Sequence, residues 1–209
     1  DRTILTKHQK YERELPEINE PKWVYLSSLG GDALPWHKEL ENYLYKHPQI
    51  NLAFQPGSYQ IAANKELAGI YKRAKVVIVN KEESQTILTT DTDDIKKLLE
   101  GMKVLGSEIA VITDGVKGAY ASYDGDAWYM PPYPDPKPPL ERTGAGDAFA
   151  STFVSALCMG MSVVEALRWA PINSMSVVQY VGAREGLLTK DKLEEYLKNA
   201  PKDYEPKRI

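Results

Sequence analysis

From Trp23 onward the chain alternates short apolar runs with amphipathic stretches, and no other feature restricts its fold as much. Trp23–Leu26, Asn51–Phe54, 75–79 and 108–113 are apolar runs of strand length. Between and after them, residues 36–45, 64–73, 82–88 and 93–104 carry the spacing of surface helices. Asp93 and Asp94 open the last of these, where acidic side chains favour a helix N-terminus. Strands alternating with helices predict an α/β fold: a doubly wound, mostly parallel sheet covered by helices on both faces in three layers.

After Thr113 the pattern changes. Residues 118–123 and 127–130 read as a hairpin around Asp124-Gly125, a strong turn dipeptide. Six prolines then fall within residues 131–140, too many for a helix or a central strand. That stretch reads as a stiff ordered loop, with a polyproline ligand as the other reading. Residues 147–159 predict a helix apolar nearly all round, hence central. Pro171 can open another helix reaching Val181, since a first-turn proline loses no needed hydrogen bond. An amphipathic helix over 191–198 closes the pattern, and residues 199–209 are expected to be a loose tail. No repeat or linker divides the chain, so residues 1–209 are expected to form one domain.

Composition sets the partners. With 26 basic and 29 acidic side chains the net charge is −3, which argues against a nucleic-acid partner. A single cysteine, Cys158, excludes an internal disulfide and fits a reducing cytoplasm. His8, His37 and His47 lie among no thiols, so zinc has little support. The longest uncharged run, 148–164, is short of the ~20 residues that span a bilayer and reads as a buried helix, not a membrane contact. The chain opens Asp1-Arg2-Thr3 without a methionine or a signal peptide, so further residues are expected before it.

Chemistry concentrates in Arg142-Thr-Gly-Ala-Gly-Asp-Ala-Phe149. Glycines just before a buried helix let backbone amides approach an anion, and the helix N-terminus adds partial positive charge. Each anionic contact there is worth about 0.3–2 kcal/mol. Asp147 falls in the first turn, within reach of whatever the amides hold. An anion cradle beside a carboxylate suits phosphoryl transfer. An N-terminal cap with Asp147 as first-turn stabiliser fits the same residues.

Thr143-Gly-Ala-Gly-Asp-Ala-Phe149 resembles the signature of the ribokinase-like, or PfkB-type, sugar kinases, usually written D-x-T-G-A-G-D. The resemblance implies an anion hole built from the amides of Gly144, Ala145 and Gly146, with Asp147 as the base that deprotonates the acceptor hydroxyl. Glu141 stands where the family usually carries aspartate, at a position that helps hold a monovalent cation such as K⁺ in many relatives. Asn80-Lys-Glu-Glu83 is similar to the family's N-x-x-E motif, implying that Asn80 and Glu83 organise Mg²⁺ and the phosphates mostly through water. By itself that segment also fits a strand end followed by a capped helix.

Thr113-Asp-Gly115-Val-Lys-Gly118 resembles the T-x-G-x-x-G turn that lines the nucleotide, and Gly182-Ala-Arg-Glu-Gly-Leu187 the G-A-x-x-G segment. Asn173 lies near the helix start that borders adenine in relatives, and Pro171 takes the place of the usual polar neighbour. The likeness runs from Arg2 to Leu188. It implies that residues 1–20 are the return from a small β lid, and that most of the lid and the N-terminal third, with the sugar contacts, are absent. An exposed sheet edge and self-association of the fragment follow as expectations, with a homodimer for the full-length protein.

The leading reading is a cytoplasmic carbohydrate kinase using MgATP. Its alternatives are a nucleotide-binding fragment without catalysis, or a nucleoside or vitamin kinase of the same family. No G-x-x-x-x-G-K-[ST] is present, which excludes a P-loop enzyme. T-G-A-G-D lacks the G-x-G-x-x-G spacing of dinucleotide-binding enzymes.

Overall fold

A computed structural model describes Leu15 and residues 21–209. Seven strands form one sheet in sequential order: β1 Trp23–Leu26, β2 Asn51–Phe54, β3 Val76–Asn80, β4 Ile109–Thr113, β5 Ala119–Tyr123, β6 Asp126–Met130 and β7 Lys207–Arg208. β1 to β4 are parallel, and β5 to β7 continue the sheet antiparallel. The parallel pattern expected from alternation thus holds where helices separate the strands. Tight connections take over where a hairpin suffices: Asp124 and Gly125 both adopt positive φ, as a two-residue hairpin turn requires.

Strand parity decides the layers. Val76, Ile78, Ile109 and Val111 pack with α6 Ala145–Cys158, α7 Val163–Val177 and Leu193 of α8 Lys190–Lys198. Their alternates Val77, Val79, Ala110 and Ile112 pack against α1 Leu34–Lys46, α3 Ala68–Arg73, α4 Lys81–Leu88 and α5 Ile95–Val104. A short helix, α2 Ser58–Ala62, precedes α3. Both faces of β3 and β4 are therefore buried, which is why these strands read as continuous apolar runs. Each fully buried Leu, Ile or Val there contributes about 1.5–3 kcal/mol relative to exposure. The three-layer α/β/α arrangement is the one expected.

Local signals start the helices. The Asp94 carboxylate accepts from the amides of Lys96 at 3.0 Å and Lys97, capping α5. Ser162 and Glu165 form a reciprocal capping box before α7, with Ser162 N donating to Glu165 Oε2 at 2.8 Å. That box corrects the expectation that Pro171 opens a helix reaching Val181: α7 begins at Val163, ends at Val177 and carries Pro171 in its interior. A proline there costs about 3 kcal/mol, and burial of most of α7 in the core outweighs it.

The C-terminus is also corrected. Residues 199–209 are not a loose tail, because Tyr204 is 2% exposed and its hydroxyl donates to the Arg168 carbonyl at 2.7 Å. Beyond it β7 pairs with β6, and Ile209 N donates to Ala127 O at 2.9 Å. A buried aromatic anchor and the unpaired edge of β6 together draw the tail in. The lid return expected over residues 1–20 lies outside the described residues apart from Leu15. Among the described residues no helix is long and apolar enough to cross a membrane.

Candidate active site

The four parallel strands end on one side of the sheet, and the segments that leave those ends carry the site, as is general for open α/β sheets. Asn80 closes β3 and Thr113 closes β4, and the two are register partners. The N-x-x-E and T-x-G-x-x-G segments therefore start side by side. Asn80 Oδ1 accepts from the Glu83 amide at 2.8 Å, and Glu83 Oε2 accepts from the Asn80 amide at 2.9 Å. The pair is a capping box on α4.

α6 faces these strand ends with its N-terminus. Gly144 caps it at φ +82°, and a Cβ there would lie 2.7 Å from the Ala183 Cβ. Only glycine combines that backbone with that approach. Ala145 N donates to Arg142 O at 3.3 Å, and the first intrahelical bond runs from Ala148 N to Gly144 O at 2.8 Å. The Gly146 and Asp147 amides between them precede the helix's own bonding and, with the helix dipole, offer an anion site. Gly146 is open: beyond its own helix backbone, nothing lies within 4 Å of where its Cβ would be. Ser174 Oγ donates to Ala145 O at 2.7 Å and ties α7 to this turn. Glu141 Oε2 accepts from Gly182 N at 3.1 Å, and the Thr143 hydroxyl and that amide hold its carboxyl below the usual carboxylate range.

A cleft of about 200 Å³ runs from the glycine turn after β4 to the first turn of α6. Thr113, Gly115 and Gly118 line one wall, and Ala145 and Gly146 line its end. Gly118 has φ +100°, and a Cβ there would meet Met130 O at 2.3 Å. Pro171, Ser174, Met175 and Val178 supply the opposite wall, at the spacing of one helix face. Tyr133, Asp135 and Pro139 of the proline-rich segment cover it.

Asn173 is not on that wall, contrary to expectation. Its amide is 6% exposed, donates to Thr152 Oγ1 at 2.8 Å and accepts from Leu188 N at 2.9 Å. Both ends of the amide are thus satisfied inside the fold. Each helical residue turns about 100° from the last, so with 171, 174, 175 and 178 facing the cleft, 173 faces away. Gly182 likewise spends its amide on Glu141 and does not line the cleft. Its segment acts from behind, through Ala183 against Gly144.

Two residues of the site carry no motif. Gln55, one residue past β2, donates from Nε2 to Asp147 Oδ1 at 3.0 Å. Tyr25 of β1 donates its hydroxyl to Gln55 Oε1. Burial first, and then the Asp147 charge, push the Tyr25 phenol up to about 12, against a smaller opposing hydrogen bond with Ser27. The only sequence signal for Gln55 is a polar side chain at the carboxyl end of an apolar strand.

Among the described residues no cluster of three or more His, Cys, Asp or Glu could hold a metal ion by itself.

The described geometry is a three-layer α/β/α domain with a glycine-framed helix N-terminus at the end of a cleft and a carboxylate beside it, an arrangement able to hold an anionic group. The chain belongs to the pfkB family of carbohydrate kinases, whose model matches residues 5–190. It is 26% identical over 153 residues to a 5-dehydro-2-deoxygluconokinase of Clostridium perfringens, covering 68% of this chain and 44% of that one. A nucleoside kinase of Methanocaldococcus jannaschii superposes with a TM-score of 0.71 at 21% identity, over 88% of this chain and 58% of that one. A putative ribokinase II from E. coli, in complex with ATP and Mg²⁺, does so with a TM-score of 0.71 at 16% identity, over 85% and 59%. The chain thus spans less than two thirds of the length of each.

Proposed function

We propose that the protein transfers a phosphoryl group from ATP to a hydroxyl of a sugar or sugar-bearing acceptor. One observation carries this reading: the first turn of α6 is shared, with Gly146 in the cleft wall and Asp147 exposed just beyond it, facing Gln55. A nucleotide lying in the cleft between the Gly115–Gly118 turn and α7 would place its terminal phosphate at the α6 amides. The acceptor would then approach from the side of Asp147.

In this reading the amides of Gly144, Ala145 and Gly146 bind the transferring phosphoryl and oppose its charge, and the Asp147 carboxylate takes the acceptor's proton. Mg²⁺ would screen the phosphate charge, with Asn80 and Glu83 holding its waters. Glu141 fixes the segment before α6 through Gly182. The matched 5-dehydro-2-deoxygluconokinase and nucleoside kinase carry names that denote a sugar or a sugar-bearing acceptor.

The test is Asp147→Asn in the full-length protein. Turnover should fall by about 10²–10⁴-fold while MgADP titrated in a calorimeter still saturates near one site per chain. Turnover within a few fold of the parent would remove Asp147 from the role of base.

A further inference from the structure

An exposed carboxylate in the first turn of a helix can rotate freely unless something beyond that helix holds it. Asp147 is held from the sheet. The Gln55 amide N donates to the Leu26 carbonyl at 2.8 Å, so its backbone continues the β1–β2 pairing. A Cβ on Gly57 would overlap Ser28, which shows how closely the segment after Gln55 packs on the segment after β1. From this fixed base the Gln55 side chain reaches Asp147 Oδ1 at 3.0 Å.

The direction of the amide matters, because one end donates and the other only accepts. Tyr25 presents a hydroxyl donor to Oε1, which leaves the NH₂ group facing Asp147. The opposite orientation would set oxygen against carboxylate. We infer that Gln55 is the positioning residue for the Asp147 carboxylate, and that Tyr25 sets which end of the Gln55 amide faces it. Gln55 occupies Oδ1 and leaves Oδ2 to receive the acceptor's proton. An amide neither gives up nor takes a proton near neutral pH, so it orients the carboxylate without competing for that proton. This inference rests on Asp147 being the base.

The experiment is a double-mutant cycle in the full-length protein with MgATP, using whichever of D-ribose, D-fructose or cytidine it phosphorylates fastest. Gln55 is half-buried, so leucine fits without opening a cavity. Gln55→Leu should lower kcat by about 10–100-fold, the weight of a hydrogen bond to a charged group. The KM for MgATP should move less than about threefold, because Gln55 does not line the cleft. Tyr25→Phe should give a smaller fall of the same kind. In the Asp147→Asn background Gln55→Leu should have almost no further effect, as for residues that act as a unit.

A full, additive loss in that background, or unchanged kcat in the single variant, overturns the positioning role. If Asp147→Asn itself leaves turnover intact, the base reading fails instead, and the two failures are distinct. A second readout needs no acceptor. The Gln55 side-chain NH₂ signal in a ¹⁵N–¹H spectrum should shift in Asp147→Asn and again in Tyr25→Phe, and a signal unmoved by both also overturns the inference.

Discussion

Ala183 sits directly over Gly144: a Cβ on Gly144 would come within 2.7 Å of the Ala183 Cβ and 2.8 Å of its Cα. Two residues 39 apart in sequence thereby close the anion site from behind, and the contact is a test of the site's construction.

Gly144→Ala should be severe for two reasons that add. The φ of +82° is strained for alanine, and the new methyl must displace the Ala183 backbone. We expect a loss of about 2–4 kcal/mol in denaturant melts, together with loss of MgADP binding by calorimetry. Gly146→Ala, where the added Cβ meets nothing beyond its own helix backbone, should melt like the parent.

Asn173→Ala separates packing from nucleotide contact. The variant leaves Leu188 N and Thr152 Oγ1 without their partner, a loss of about 1–3 kcal/mol in thermal or denaturant melts. MgADP affinity of the folded variant should stay within about threefold, since the side chain faces away from the cleft. A large loss of affinity with unchanged stability would return Asn173 to the nucleotide site.

Tyr204→Ala tests the docked C-terminus. Removing a buried ring that packs on Tyr133 at 4.8 Å should cost about 3–5 kcal/mol, and hydrogen exchange at Tyr129 and Ile209 should quicken as β7 frays. A free tail would show neither change.

Stability should fall at alkaline pH. Burial raises the phenols of Tyr71 and Tyr204 well above the ordinary tyrosine value of about 10, and that of Tyr25 to about 12. The folded state keeps these protons where the unfolded chain has already lost them, so the stabilisation is complete below pH ~10 and drains away as pH rises beyond it. Urea melts from pH 8 to 11 should show the decline. Asp147→Asn should lower the Tyr25 pKa, read as the phenolate absorbance difference between each protein and its Tyr25→Phe counterpart.

Much of this was legible in the residues. β1 and β2 lie at Trp23–Leu26 and Asn51–Phe54, as their apolar runs mark them, and Asp94 caps its helix as an acidic residue at that place should. The Thr143–Phe149 segment pointed to a glycine-led buried helix and to the family that the chain belongs to. These are local properties: side-chain periodicity, cap chemistry and the φ that glycine alone tolerates act within one strand or one turn. What only the tertiary structure decided was the meeting of distant parts. Gln55 lies 92 residues from Asp147, and Tyr204 lies 36 from Arg168. Likewise, packing against the sheet determined that α7 would run through Pro171 and turn Asn173 away from the cleft. Such pairings depend on the order of strands and on which helix face the core takes, and no window of sequence a few residues wide contains either.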